Sequence, residues 1–208
     1  MHMNSASVNV IIVPDNSTLQ KVRALGKILG ENYESYYTIA DITFIPHATI
    51  YQAQYPVRNL EKVKDELTKI TESFKPFDVS LGPYQNFHGY IWWNISENEG
   101  LNRLHKQIVD RLNPLREGLL LPHFTSVGYK TGEKFTEKEA EIVRKYGSPV
   151  VDYLFQPHIT LARLKKDIEE SDLYRTLGKA ESSFYVSEIL IGEMGDHGTL
   201  IKILERYG

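Results

Sequence analysis

The sequence predicts an α+β fold built on antiparallel or mixed sheets, and three observations carry that expectation. Strand-like and helix-like segments alternate along the 208 residues. Two pairs of strand-like segments, 77–81 with 90–95 and 183–191 with 199–204, read as antiparallel neighbours separated by glycine-marked turns. No glycine-rich phosphate loop is present, which argues against a nucleotide-triphosphate fold.

The elements follow in order. Residues 8–13 are apolar and rich in β-branched side chains, and Pro14-Asp15-Asn16 closes them as a turn, so they predict a buried strand. Ser17 and Gln20 form a capping-box pattern, and Leu19, Val22, Leu25, Ile28 and Leu29 recur at helical spacing to about Gly30. Residues 43–53 predict a second strand, and Val63, Leu67, Ile70 and Phe74 a second helix. After the first strand pair, Leu101, Leu104, Ile108 and Leu112 mark a third helix that Pro114 ends. The stretch 117–133 has no clear periodicity, although a turn is expected near Thr131-Gly132. A helix capped by Thr136 with Glu139 runs to Gly147, and 154–164 reads as a strand. Residues 167–177 read as a helix stopped by Gly178, before the terminal hairpin.

Composition narrows the function. The hydrophobic share of 41% and charged share of 25% suit an ordinary globular core, and the net charge of −3 does not mark the surface as a polyanion binder. A local pocket for a small or terminal phosphate is compatible with that charge. The absence of cysteine excludes disulfides, thiolate nucleophiles and cysteine-ligated zinc. The first nine residues lack a basic region followed by a long apolar run, so no secretory signal is expected and a cytoplasmic address fits. No apolar run approaches a membrane span.

The sequence repeats itself where chemistry is possible. Phe44-Ile45-Pro46-His47-Ala48-Thr49-Ile50 matches Phe155-Gln156-Pro157-His158-Ile159-Thr160-Leu161 in the pattern Phe-x-Pro-His-x-Thr-aliphatic. Alternate side chains of a strand share a face, so His47 with Thr49, and His158 with Thr160, each point one way while the aliphatic neighbours point the other. Two such strands brought together would surround one site with two imidazoles and two hydroxyls. Imidazole titrates near pH 6.5, so one ring can take a proton from an attacking hydroxyl or water while the other gives one to a leaving oxygen. The threonine hydroxyls can donate to phosphate oxygens where charge gathers. This scheme requires no metal and no cofactor.

Other residues compete for roles. Pro122-His123-Phe124-Thr125 is a third Pro-His-x-Thr, without the leading Phe and with Ser126 in the aliphatic place. His123 is therefore a rival second histidine, or a substrate contact at the mouth of the site. A zinc site is a further alternative, but His47, His123 and His158 lack a close-spaced partner ligand on a shared face. Strand alternation assigns Trp93 to the core, and Trp92 to a mixed face where it could stack on a base. Tyr51 shares the His47 face in a regular strand and could line the site, whereas Arg163 falls opposite His158 if its strand stays regular.

The doubled His-x-Thr pattern resembles the signature of the 2H phosphoesterases, which include LigT-like 2′-5′ RNA ligases and cyclic nucleotide phosphodiesterases. Pro157-His158-Ile159-Thr160-Leu161-Ala162-Arg163 is especially similar to their second motif, and Tyr90-Ile91-Trp92-Trp93-Asn94-Ile95 resembles a Trp-containing strand of LigT-like members. The resemblance implies one bilobal domain over 1–208, with two pseudo-symmetric lobes, each an antiparallel sheet with outer helices, and an active-site cleft between them. It implies His47, Thr49, His158 and Thr160 as catalytic residues, while Tyr51, Trp92, His123 and Arg163 stand as candidate substrate contacts beside them. It implies metal-independent hydrolysis of cyclic phosphates or RNA-like phosphodiesters, with a small cyclic nucleotide or an oligonucleotide end as partner. Neither a membrane nor a stable protein partner is implied. An inactive nucleotide-binding relative and an RNA end-joining enzyme are the alternatives.

Overall fold

A computed structural model describes residues 4–208 apart from 131 and 180, and for His197 the backbone alone. Part of the turn expected at Thr131 thus lies outside the described residues. The described elements are β1 (Ser5–Ile12), α1 (Asn16–Asn32), β2 (Ser35–Thr38), β3 (Ala48–Pro56), α2 (Leu60–Glu72), β4 (Phe77–Phe87) and β5 (Tyr90–Ile95). They continue with α3 (Glu99–Leu112), α4 (Glu137–Tyr146), β6 (His158–Leu164), α5 (Glu170–Leu177), β7 (Ser182–Val186), β8 (Ile189–Met194) and β9 (Leu200–Tyr207). None of the described helices is long and apolar enough to cross a membrane.

The strands form two sheets, ordered β3-β1-β8-β9 and β2-β6-β5-β4-β7, and every pairing is antiparallel. The expected α+β class with antiparallel sheets is therefore what the chain adopts. One large core joins both sheets to the helices. It takes Val8, Val10 and Ile12 from β1, Ile50 from β3, Ile159 and Leu161 from β6, Val63 and Leu67 from α2, and Leu101 and Ile108 from α3. A small cluster of Ile11, Leu190 and Leu200 lies apart from it, and Ile45 packs against that cluster.

Several local expectations change. Asp15, not Ser17, caps α1, with its carboxylate accepting the Thr18 N–H. Thr136 and Glu139 do form a capping box. The segment 183–191 divides between sheets, because β7 pairs with β4 while β8 pairs with β1 and β9. Only β8 and β9 make the terminal hairpin. The strand β2 went unforeseen, since Ser35-Tyr36-Tyr37-Thr38 is too short for a pattern of period two. Both motif strands start later than expected, because each proline breaks the run and the ladders begin at Ala48 and His158.

The chain entering the first motif is held tightly. A Cβ on Gly26 of α1 would lie 2.9 Å from the Ile39 carbonyl carbon and 3.0 Å from its oxygen. The Ile39 N–H in turn donates to the Leu161 carbonyl at 2.8 Å. Since backbone cannot swing aside as a side-chain tip can, Gly26→Ala should destabilise the protein by about 1–3 kcal/mol. Urea denaturation measures this, and a variant as stable as the parent would contradict the close approach.

Candidate active site

Each motif strand carries a bulge one residue after its threonine. In β3, Ile11 of β1 pairs with Thr49 and Val10 with Tyr51, so Ile50 is the extra residue. In β6, Trp92 pairs with Thr160 and Ile91 with Ala162, so Leu161 is the extra residue. Both bulge carbonyls find donors off the bulged pairing itself. The Ile50 carbonyl accepts from His105 Nδ1 at 2.7 Å, and the Leu161 carbonyl accepts from the Ile39 N–H.

The bulges reassign two candidate residues. Beyond Ile50, Tyr51 turns onto the core face beside Val10, is only 2% exposed, and donates its hydroxyl to the Tyr146 carbonyl at 2.8 Å. It does not line the site. Beyond Leu161, Arg163 returns to the face of Thr160 and His158, opposite Tyr90 on β5. Its guanidinium lies 4.7 Å from the Tyr90 ring centre and 5.0 Å from that of Tyr36. Regular alternation had put it on the other side. The physical cause of both corrections is the same: one inserted residue exchanges the faces of all that follow.

The two histidines are held alike. His47 Nδ1 lies 3.0 Å from the Ile45 carbonyl and His158 Nδ1 lies 2.8 Å from the Gln156 carbonyl, in each case two residues back across the proline. A carbonyl can only accept, so Nδ1 carries the proton and Nε2 is left as the reactive nitrogen of each neutral ring. The approaches to both rings are pinned as well. The Ile45 N–H donates to the Leu200 carbonyl, and the Pro157 carbonyl accepts the Ile95 N–H. The strands β3 and β6 pack against each other, and the charge on His47 bears on His158. Thr49 and Thr160 are half-buried beside them, and neither hydroxyl is committed to a hydrogen bond among the described residues.

Burial sets the protonation of these rings. It pulls His158 down to about 4, the Gln156 carbonyl opposes it, and His47 pushes it lower. Burial likewise lowers His47, against the Ile45 carbonyl. Both rings are therefore neutral at pH 7 in the free protein.

Trp92 supports His158 and is not a platform for a base. It is 8% exposed, and its indole stacks on the His158 ring at 3.9 Å and 15° and on the Phe87 ring at 4.7 Å and 17°. Its neighbours on β4 and β6 thus cover it from either side. Trp93 lies in the core, as alternation implied, with its N–H donated to the Gly82 carbonyl. His123 is exposed and belongs to neither sheet. Its segment folds on itself around Phe124, Tyr129 and Phe135, and without the leading Phe and trailing aliphatic residue it has no sheet face to bury. The ring on which the charge of His47 bears is His158.

Two groups of supporting residues escaped the sequence reading. Gln85 Oε1 accepts from Gln156 Nε2 and from Asn94 Nδ2, which fixes the residue whose carbonyl orients His158. His105 of α3 bonds the Ile50 carbonyl, accepts the Asp152 N–H at Nε2 (3.1 Å), and stacks on Phe155 at 3.7 Å. One buried imidazole thereby ties the bulge of the first motif to the approach of the second. Its signal was present, since His105 lies four residues after Leu101 and three before Ile108 on an apolar helix face.

A family model described as the 2′-5′ RNA ligase superfamily matches residues 16–198. The chain belongs to this superfamily. No curated protein matches the sequence significantly. Among solved structures, a Thermus thermophilus protein is 15% identical with a TM-score of 0.62, and the match covers 97% of each chain. A phosphoesterase is 13% identical, TM-score 0.54, over 96% of this chain and 95% of its own. LigT of E. coli, solved with 3′-AMP, is 12% identical, TM-score 0.57, over 98% of both chains. These likenesses establish a LigT-like 2H fold over nearly the whole chain, and the 2H resemblance of the two motifs agrees with the superfamily match.

The lowered histidines make a pH prediction. The folded His158 takes its proton near pH 4, while an unfolded histidine takes it near 6.5, so between those values the unfolded chain binds more protons. Its contribution to stability is complete above about pH 6.5 and is lost as the pH falls through about 4. NMR titration of the imidazole resonances should give His158 a midpoint near 4, with the denaturation midpoint falling over the same interval. A midpoint near 6.5 would contradict the desolvated ring.

Proposed function

We propose that the chain is a metal-independent phosphodiesterase that hydrolyses 2′,3′-cyclic phosphates or RNA-like 2′-5′ linkages, with His47 and His158 as acid and base. The observation that carries this reading is the paired arrangement of the two rings on the packed strands β3 and β6, each locked through Nδ1, each offering Nε2, with the charge of His47 bearing on His158. Membership of a superfamily of phosphoesterases and ligases supports it.

The chemistry follows from the two nitrogens. One neutral imidazole takes a proton from water as the water oxygen bonds to phosphorus. One P–O ester bond breaks, and the departing oxygen takes a proton from the other imidazole. That second ring must be charged, yet both rings are neutral in the free protein. An arriving phosphodiester carries a negative charge, which raises the proton affinity of a ring beside it, so the substrate charges its own general acid. Thr49 and Thr160 donate to the non-bridging oxygens, and Arg163 adds positive charge on the β6 side. Water as the acceptor makes the reaction hydrolysis, and a second nucleotide hydroxyl in its place would make it ligation.

His47→Ala and His158→Ala should each lower kcat by about 10²–10⁴ on a 2′,3′-cyclic nucleotide. Retention of inorganic phosphate binding by both variants, seen by calorimetry, would separate lost chemistry from a lost site. The kcat/KM profile of the parent should be bell-shaped, and activity should persist in EDTA. Loss of activity in EDTA with recovery on adding zinc or manganese would refute the reading.

A further inference from the structure

We propose that the outer face of Phe87 is a stacking platform for a nucleobase, so that the preferred substrate is an oligonucleotide end and not a lone cyclic nucleotide. This rests on the phosphodiesterase reading of the two-histidine site and extends it to the class of substrate.

Three rings run across the second sheet in one row. His158 on β6, Trp92 on β5 and Phe87 on β4 stack in succession, nearly parallel, at 3.9 Å and 4.7 Å. All three lie on the face opposite the core, since Trp92 pairs with Thr160 and Phe87 pairs with Tyr90. The row stops at Phe87. Beyond it no described strand continues the sheet, because β7 pairs only with residues 77–81 of β4. The neighbouring His88 stands nearly perpendicular to the Phe87 ring, at 77°, and does not extend the parallel row, and Phe87 is 39% exposed.

An aromatic ring at the open end of a stack has room for one more. With a further stacking interval of about 4 Å, a base on Phe87 would sit on the order of 12 Å from the His158 imidazole. That is farther than a nucleotide reaches from its terminal phosphate to its own base, so the base belongs to the preceding nucleotide. The surroundings suit a nucleotide chain. Tyr90 stands directly across from Phe87, and the Arg163 guanidinium lies 4.7 Å from the Tyr90 ring, which puts a cation beside the path of the linking phosphate. Aromatic platforms next to cations are how single strands are held without reading their sequence.

Phe87 also buttresses Trp92, so its test must separate the two roles. Phe87→Leu keeps apolar bulk against the indole and removes the flat ring, while Phe87→Trp keeps a ring. The measurement is kcat/KM on a dinucleotide ending in a 2′,3′-cyclic phosphate and on the corresponding cyclic mononucleotide. Phe87→Leu should depress the dinucleotide value about ten-fold more than the mononucleotide value, mostly through KM, and Phe87→Trp should restore it. Equal losses on the two substrates, or no loss on either, would overturn the platform. If the parent turns over neither substrate, the phosphodiesterase reading has failed instead. Fluorescence anisotropy with a short single-stranded RNA carrying a 3′-phosphate then decides the platform alone: weaker binding by Phe87→Leu supports it and unchanged binding overturns it.

Discussion

Both imidazoles are fixed by the same short loop of covalent and hydrogen bonds, from a ring Nδ1 to the carbonyl two residues earlier, with proline between. Proline fixes its own φ and holds the preceding residue extended. It also lacks an N–H of its own that might compete for a nearby acceptor. The carbonyl admits one tautomer, and so each ring turns its basic nitrogen outward. What surrounds the motifs serves to keep these loops in place. Leu200 holds the approach to His47, Ile95 holds Pro157, Trp92 lies flat on His158, and the Gln85 amide grips Gln156.

Placing two such loops beside each other is the work of the bulges. A bulge gives a strand a residue that its ladder cannot pair, and the freed carbonyl needs a donor. In β3 that donor is His105 of α3, and in β6 it is the Ile39 N–H just past the end of β2, on the edge of β6 away from the bulged β5 ladder. His105 goes further by accepting from Asp152, three residues ahead of Phe155. It can do both only while neutral, because a second proton would turn its Nε2 acceptor into a donor facing an N–H. Burial, which lowers its proton affinity, keeps it in that state against the pull of Asp152 and Asp110.

The strand and helix classes were legible in the sequence wherever a long pattern existed. The helices α1, α2 and α3 follow their apolar spacing, and the pairs β4/β5 and β8/β9 follow their turns. The repeat was legible too, including the shared face of each His and Thr. What the sequence hid was set by single inserted residues and by partners distant along the chain. Neither Ile50 nor Leu161 differs from an ordinary strand residue, so nothing announced that Tyr51 would turn inward and Arg163 outward. Trp92 was placed on the correct face, but only its neighbours in the sheet could show that both sides of its ring are covered. His123 has the motif in letters, but Ser126 stands in the trailing place that Ile50 and Leu161 fill in the two motif strands.

The two halves of the site are alike in their imidazoles and unlike in everything around them. On the β6 side stand Trp92, Tyr90, Phe87 and the Arg163 cation. On the β3 side the corresponding face carries Ile11 and Leu190, covered by Ile45, and Gln52 occupies the place that Arg163 holds in the second motif, five residues after the histidine. A symmetric pair of rings can exchange protons in either direction, so symmetry alone would leave the acid and base undetermined. The unequal surroundings break that tie. On the phosphodiesterase reading proposed above, a substrate extended along the cationic, aromatic side would leave its other ester oxygen on the neutral side, and the roles of His47 and His158 would follow from how the substrate lies, not from any difference between the rings themselves.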